Sequence, residues 1–267
     1  RVDLLRQHMV QFIRKMCIML RFEASATAIA AALFHRVYLA ISFAELEPCL
    51  TSMACVFIAS KADDCFRKSR DVVNVAHAVM DPANPMTIGD ALFRWKDALL
   101  EREQKVLRLL RFQYHVDTPY RFMYNFCLTI FGCDSSVARL ATSILNDSIV
   151  TTVWLEYTVV ELSCVALNLA GVLLELALPM PGESEKLWAL FGVEQRIVEE
   201  LSHRLLDVYT DPAPSLKASS IKQSMKEWNT MTEAHRRTAF GVDVSALSRR
   251  YQCKCERDQE QGILAIR

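Results

Sequence analysis

The 267-residue chain has only 7 Gly and 8 Pro and contains no Asn-Gly or Asp-Gly pair, which argues against a hairpin-rich β protein, a collagenous repeat or a largely disordered chain. It lacks an excess of either charge: 31 basic and 31 acidic residues supply no global attraction for nucleic acid or anionic lipid. Long hydrophobic runs are missing as well. The longest uncharged apolar stretches, Leu162 to Leu174 and Pro48 to Ser60, are 13 residues each, against about 20 for a membrane-crossing helix, so no membrane partner is expected. No Gly-x-Gly-x-x-Gly, Walker-type Gly-Lys-Ser/Thr or Gly-x-Ser-x-Gly motif occurs, which leaves nucleotide binding and hydrolase chemistry without their usual sequence support.

What the chain does have is apolar content, 52% hydrophobic residues rich in Ala and Leu, spaced for helices. Nine cysteines are an odd number, and Cys17, Cys49, Cys55, Cys65, Cys127, Cys133 and Cys164 fall within apolar helical patterns, as expected of reduced, buried thiols rather than a secreted disulfide framework. Apolar residues at three- and four-residue spacing predict helices near 2–20, 24–41, 48–62, 69–80 and 91–111, with Pro48 in the first turn of the third and Ser69 capping the fourth. The segment 113–118 alternates like a strand but runs into Pro119; a second series follows near 119–131, 135–153, 158–177, 184–190 and 193–209. The expectation is an all-α protein of two five-helix bundles, residues 1–113 and 114–211, followed by a polar, largely flexible tail over 212–267 with one short helix around Ile221 to Met231. In that tail basic residues outnumber acidic ones ten to six.

Catalytic chemistry finds little support. Asp63-Asp64 suggests an aspartate-rich magnesium site, but Arg67 and Lys68 stand where a third acid belongs, and Asn146-Asp147 is followed by Val150 and Trp154. Cys253-x-Cys255 lacks the second ligand pair that a structural zinc site needs. His35, beside Arg36 in a helix of Ala, Ile and Leu, reads as a structural hydrogen-bonder. No cofactor and no metal are expected.

Two charges fall in line with apolar stripes. On the third predicted helix Leu50, Ala54 and Phe57 lead to Lys61; on the fifth, Leu92, Leu99, Val106 and Leu110 enclose Glu103. Lys and Glu are almost never fully buried unless paired, because an isolated charge costs several kcal/mol or more to desolvate. Either they pair with one another, with the lysine stem along the core, or they belong to a protein interface. In the second case a long donor and a long acceptor, flanked by Phe57, Ile58, Leu107 and Phe112, would clamp a partner's main chain while the apolar neighbours pack against a partner helix.

These residues carry a family resemblance. Leu33-Phe34-His35-Arg36-Val37-Tyr38-Leu39, Ala59-Ser60-Lys61-Ala62-Asp63-Asp64, Arg70-Asp71-Val72-Val73-Asn74-Val75 and Glu103-Gln104-Lys105-Val106-Leu107-Arg108-Leu109-Leu110-Arg111-Phe112 together resemble a cyclin box. The resemblance covers about residues 1–211. It is nearest to the transcription-type cyclins and, through Leu107 to Gln113 and the Arg70-Asp71 stretch, most similar to cyclin Q, also called cyclin M. It implies two stacked cyclin folds, no catalytic activity, and a heterodimer with a cyclin-dependent protein kinase that the chain activates. It further implies nuclear residence, with a cytoplasmic pool allowed, and a kinase-binding set of Lys61, Glu103, Phe57, Ile58, Ala62, Asp64, Leu107, Phe112 and Tyr114. Family members usually carry a bulky residue and two glutamates after the lysine; here Ala62, Asp63 and Asp64 follow, which removes apolar area and shortens both acids. Met9-Val10-Gln11-Phe12-Ile13 lacks the Met-Arg-Ala-Ile-Leu docking patch of cell-cycle cyclins, so recruitment of Arg-x-Leu substrates is not implied. Two rival readings share the fold: a DNA-binding general transcription factor of the TFIIB type, disfavoured by the neutral charge, and a cyclin-like scaffold without a kinase.

Overall fold

The computed structural model of the chain describes residues 2–84, 86, 88–131, 136–176, 187–210, 223, 226–231 and 245–260. All secondary structure among them is helical: α1 Val2–Met19, α2 Ala24–Ala40, α3 Pro48–Ala62, α4 Ser69–Met80, α5 Asp90–Leu109, α6 Pro119–Phe131, α7 Ser136–Ser148, α8 Val153–Glu156, α9 Val159–Leu173, a 3₁₀ helix Leu187–Phe191, α10 Gln195–Thr210 and α11 Ser245–Glu260, with a further helical turn at 226–230. They form two compact units, one drawn from Arg1–Val116 with Ala213–Ser245 and the other from Asp117–Pro212 with Ala246–Arg267.

Each unit is built around one helix that is apolar on every side. Helix α3 buries Thr51 through Ser60 without interruption and packs against α1, α2, α4 and α5. In the second unit α9 buries Leu162 through Leu167 and packs against α6, α7, α10 and the 3₁₀ helix. A helix with no polar face is stable only when other helices cover it, so these two central helices dictate a surrounding shell in each unit. The surrounding helices accordingly read as amphipathic. On α4, for example, Val72, Val73, Ala76 and Val79 are buried, the spacing of a single face.

The start and the position of α3 are set by side chains. Glu47 precedes Pro48 and its carboxylate accepts from the N–H groups of Cys49 at 2.8 Å and Leu50 at 2.6 Å, satisfying donors that the first turn cannot pair internally. Arg102 Nη1 on α5 donates to Glu47 O and to Thr51 Oγ1, both at 2.8 Å. The next residue, Glu103, meets Lys61 in the last turn of α3. Two consecutive α5 residues thus hold the two ends of α3.

Four elements end in the same way. After α1, Arg21 N–H bonds Ile18 O and Phe22 N–H bonds Cys17 O; after α5, Arg111 N–H bonds Arg108 O and Phe112 N–H bonds Leu107 O. The same pairing follows α9 at Glu175 and the 3₁₀ helix at Gly192. These are Schellman closures, which require one residue in the left-handed region, and Arg21 (φ 56°), Arg111 (φ 50°) and Glu175 (φ 53°) occupy it where Gly192 (φ 67°) is the usual choice. A side chain there costs about 1–2 kcal/mol, partly offset by the greater unfolded-state freedom of glycine. We therefore expect Arg21→Gly to stabilise the first unit by about 0.5–1 kcal/mol, read as a rise of a few degrees in melting temperature. A lower melting temperature would show that the arginine side chain does more than end the helix.

Four sequence readings need amendment. The helix anticipated over 135–153 stops at Ser148 and resumes only as the short α8, because side chains divert the backbone: Ser148 Oγ donates to Leu145 O at 2.7 Å and accepts from Trp154 Nε1 at 2.8 Å. The segment 113–118 forms no strand. The stretch anticipated as a polar tail includes the 16-residue α11. That helix is tied to the second unit by charge: Arg250 Nη1 reaches Glu156 Oε2 at 2.6 Å, Arg257 Nη2 donates to Glu156 O at 2.7 Å, and Arg257 Nε lies 3.2 Å from Glu161 Oε1. The helix anticipated around Ile221 to Met231 is described as the turn at 226–230, where the buried Trp228 donates from Nε1 to Phe43 O at 2.8 Å. The start of the expected tail at residue 212 and Cys133 lie outside the described residues.

Candidate functional site

Helices α3 and α5 pack together and bring the two stripe-breaking charges into direct contact. Lys61 Nζ donates to Glu103 Oε1 at 2.6 Å. The pairing is asymmetric: the lysine side chain is 43% exposed and that of Glu103 11%. The carboxylate therefore faces the packed interior and the ammonium faces solvent. Lys61 Nζ also stands 4.2 Å from the ring centroid of Phe57, one turn earlier on α3, an attraction of the cation–π kind worth about 0.5–1 kcal/mol at an exposed site. An ammonium has three donors; Glu103 engages one, and the exposure of the lysine leaves room for an acceptor from outside.

The alternative in which these residues pair with one another is thus the arrangement seen, yet the pair is not sealed. It forms a rim feature whose cation is accessible and whose anion holds it in place.

The other residues expected at this site fall into three groups. Phe57 and Ile58 are buried, the first under the Lys61 ammonium, the second within the core. Ala62 and Leu107 are half-buried, Leu107 one turn beyond Glu103 on α5, while Asp64, Phe112 and Tyr114 are exposed. Phe112 is displayed by the Schellman closure of α5 and is itself left-handed, with φ 61°, a conformation rarely adopted by an aromatic residue. Between these groups lies Asp63, whose role is local: its N–H closes α3 on Ala59 O and its carboxylate accepts from Ser25 Oγ at 2.7 Å.

Sequence reasoning overlooked Phe66 and Arg67. Phe66 is 59% exposed with its ring centroid 6.4 Å from that of Phe57. Arg67 fixes the loop that carries it, donating to the carbonyls of Leu20, Cys65 and Phe66. A phenylalanine between Asp63-Asp64 and Arg67-Lys68 was a legible signal, since an apolar side chain in so polar a loop is either buried or displayed.

Elsewhere the chemistry is structural. His35 is buried and lies 3.3 Å through Nδ1 from Arg6 Nη1. The described cysteines are free thiols; burial pushes Cys17 and Cys164 up to about 12, far from the thiolate needed for reactivity. No group of three or more potential metal ligands occurs among the described residues, and no described helix is long and apolar enough to cross a membrane.

Comparison with known proteins shows what the chain is similar to. Residues 3–115 match the cyclin N-terminal domain model. The chain is 28% identical to cyclin-L2 of Mus musculus over 200 residues, covering 72% of this chain and 38% of that protein, and 28% identical to cyclin-L1 of Homo sapiens over 206 residues, covering 74% and 38%. It thus spans about two fifths of the length of these relatives. Among solved structures it is similar to a chain of the yeast RNA Pol II CTD kinase CTDK-1 complex, with TM-score 0.66 and 17% identity over 86% of this chain and 77% of that one. It is also similar to a chain of the CAK complex from Chaetomium thermophilum bound to ATP-gamma-S, with TM-score 0.57 and 14% identity over 99% and 78%. At these identities the structural likeness speaks for the fold.

Proposed function

We propose that the chain, whose residues 3–115 match the cyclin N-terminal domain, is a cyclin: the regulatory, non-catalytic subunit of a cyclin-dependent protein kinase of the transcription type, acting in a nuclear heterodimer. The observation that carries this reading is the Lys61–Glu103 pair at the α3–α5 rim, with its ammonium accessible and its carboxylate at 11% exposure. A cation so held can take a main-chain carbonyl of a partner without first being ordered, which lowers the entropic cost of docking. Leu107, Phe112 and Tyr114, from α5 and the segment after it, supply apolar area. Docking that favours the kinase conformer with its catalytic ion pair and magnesium ligands assembled shifts the population toward activity. The cyclin contributes differential binding; the kinase performs phosphoryl transfer.

Relatives of the L type and the likeness to a chain of the yeast RNA Pol II CTD kinase CTDK-1 complex support the transcription-type assignment. The Q-like subtype rests on Leu107 to Gln113 and Arg70-Asp71 alone. The neutral net charge disfavours a DNA-binding role, and we propose neither a nucleic-acid nor a membrane partner. The scaffold reading draws on one observation, the internal engagement of Lys61 by Glu103.

The test is reconstitution of the full chain with a panel of purified, cyclin-free cyclin-dependent kinases, measuring phosphorylation of a peptide carrying RNA polymerase II C-terminal repeats. At least one kinase should gain activity manyfold and co-elute at equal stoichiometry. No activation and no complex across the panel would remove the proposal, and steeply salt-dependent binding to duplex DNA would replace it with the transcription-factor reading.

A further inference from the structure

The loop between α3 and α4 displays a phenyl ring that borders Phe57 yet is more than half exposed. Arg67 ties this loop to the end of α1: Nε and Nη2 donate to Leu20 O at 3.2 and 3.0 Å, and Nη1 donates to Cys65 O at 3.0 Å and Phe66 O at 3.1 Å. Its guanidinium also lies 5.3 Å from the ring centroid of Phe22. The backbone at Phe66 is therefore fixed by groups other than the phenyl ring, and the ring, 59% exposed, is free to serve something else. One exposed apolar residue alone needs no explanation. Phe66, however, stands beside Phe57, at 6.4 Å between ring centroids, and Phe57 is the ring beneath the Lys61 ammonium. The exposed ring and the accessible cation thus share one aromatic neighbour, at a point where Ala62 offers only a methyl group.

We propose that Phe66 is the apolar anchor of the kinase-docking surface in this chain, supplying beside Lys61 the contact area that Ala62 lacks. This inference rests on the kinase-subunit reading above. The occupant is fixed by complementarity: a kinase segment that gives a main-chain carbonyl to the Lys61 ammonium and lays an apolar side chain on the Phe66 ring. The rigidity of the Arg67-pinned loop means that little ordering accompanies docking, so most of the buried ring area is available as affinity.

The experiment measures dissociation constants by calorimetry, using the kinase from the panel that binds the wild-type chain most tightly. Phe66→Ala, Phe66→Leu and Glu103→Ala are compared, each with its melting temperature. Phe66→Ala should weaken binding about tenfold, Phe66→Leu should recover part of the loss, and the melting temperatures of both should stay with the wild type. Phe66→Ala and Phe66→Leu within twofold of wild type, alongside a weakened Glu103→Ala, would overturn the anchor and leave the kinase reading standing. Failure of every kinase in the panel to bind the wild-type chain would end both.

Discussion

Glu156→Gln is expected to destabilise the second unit by about 3 kcal/mol. The Glu156 side chain is 4% exposed and collects its partners from three parts of the chain. Arg204 of α10 grips it with two nitrogens, at 2.7 and 2.8 Å; Thr152 Oγ1 donates at 2.8 Å; Arg250 of α11 donates at 2.6 Å. Not all of these weigh equally. Arg250 is 60% exposed, so water competes for it and Arg250→Ala should cost only about 0.5–1 kcal/mol. Arg204 is 27% exposed and stacks 5.6 Å from the Tyr157 centroid, so a neutral amide opposite it leaves a largely desolvated guanidinium without its counter-charge. Burial pushes the Glu156 carboxyl upward, but the hydrogen bonds from Arg204 and Arg250 outweigh it and hold the group below the usual carboxylate range. A depressed folded-state value means that this stability is fully present above the ordinary carboxylate range and disappears as pH falls through the lowered value. Urea unfolding followed by tryptophan fluorescence should therefore show wild type and Glu156→Gln far apart at neutral pH and converging in acid. A gap under about 0.5 kcal/mol at neutral pH would mean that the arginines find other partners.

How much of this was visible in the sequence differs from residue to residue, for physical reasons. Periodicity located α1 to α5 within two residues at every boundary, because a central helix as apolar as α3 forces its neighbours to be amphipathic. The same stripes marked Lys61 and Glu103 as misplaced charges. That they bond to each other was one of two readings the sequence left open: the meeting depends on how α3 and α5 cross, and nothing in the sequence between these two positions, 42 apart, fixes a crossing angle. Helix ends at Arg21, Arg111 and Glu175 carried no glycine stop signal, so only the end of the apolar stripe showed them. Helix α11 was missed for the opposite reason. It has too few apolar residues to advertise a buried face, and its anchors, Arg250 and Arg257, gain meaning only opposite Glu156 and Glu161, roughly a hundred residues away.

Removing either member of the rim pair should separate docking from folding. Glu103→Ala and Lys61→Ala are each expected to weaken kinase association by about 2–5 kcal/mol, the range for truncating one partner of a buried, hydrogen-bonded charge contact at an interface. Their effect on the folded chain should be far smaller, because the lysine is 43% exposed and ion pairs with one solvated member contribute about 0–1 kcal/mol. The two losses should not add in the double variant. Glu103 acts in part by holding the Lys61 ammonium over Phe57, so once the lysine is gone the carboxylate has less left to do, and residues that share a contact couple by about 0.5–3 kcal/mol. A double-mutant cycle on affinity, run beside the same cycle on melting temperature, therefore discriminates between the two readings of the pair. Loss confined to affinity identifies a docking clamp. Loss confined to melting temperature, with kinase affinity unchanged in both single variants, identifies an ion pair that serves only the bundle, and removes the rim as the place where a kinase is held.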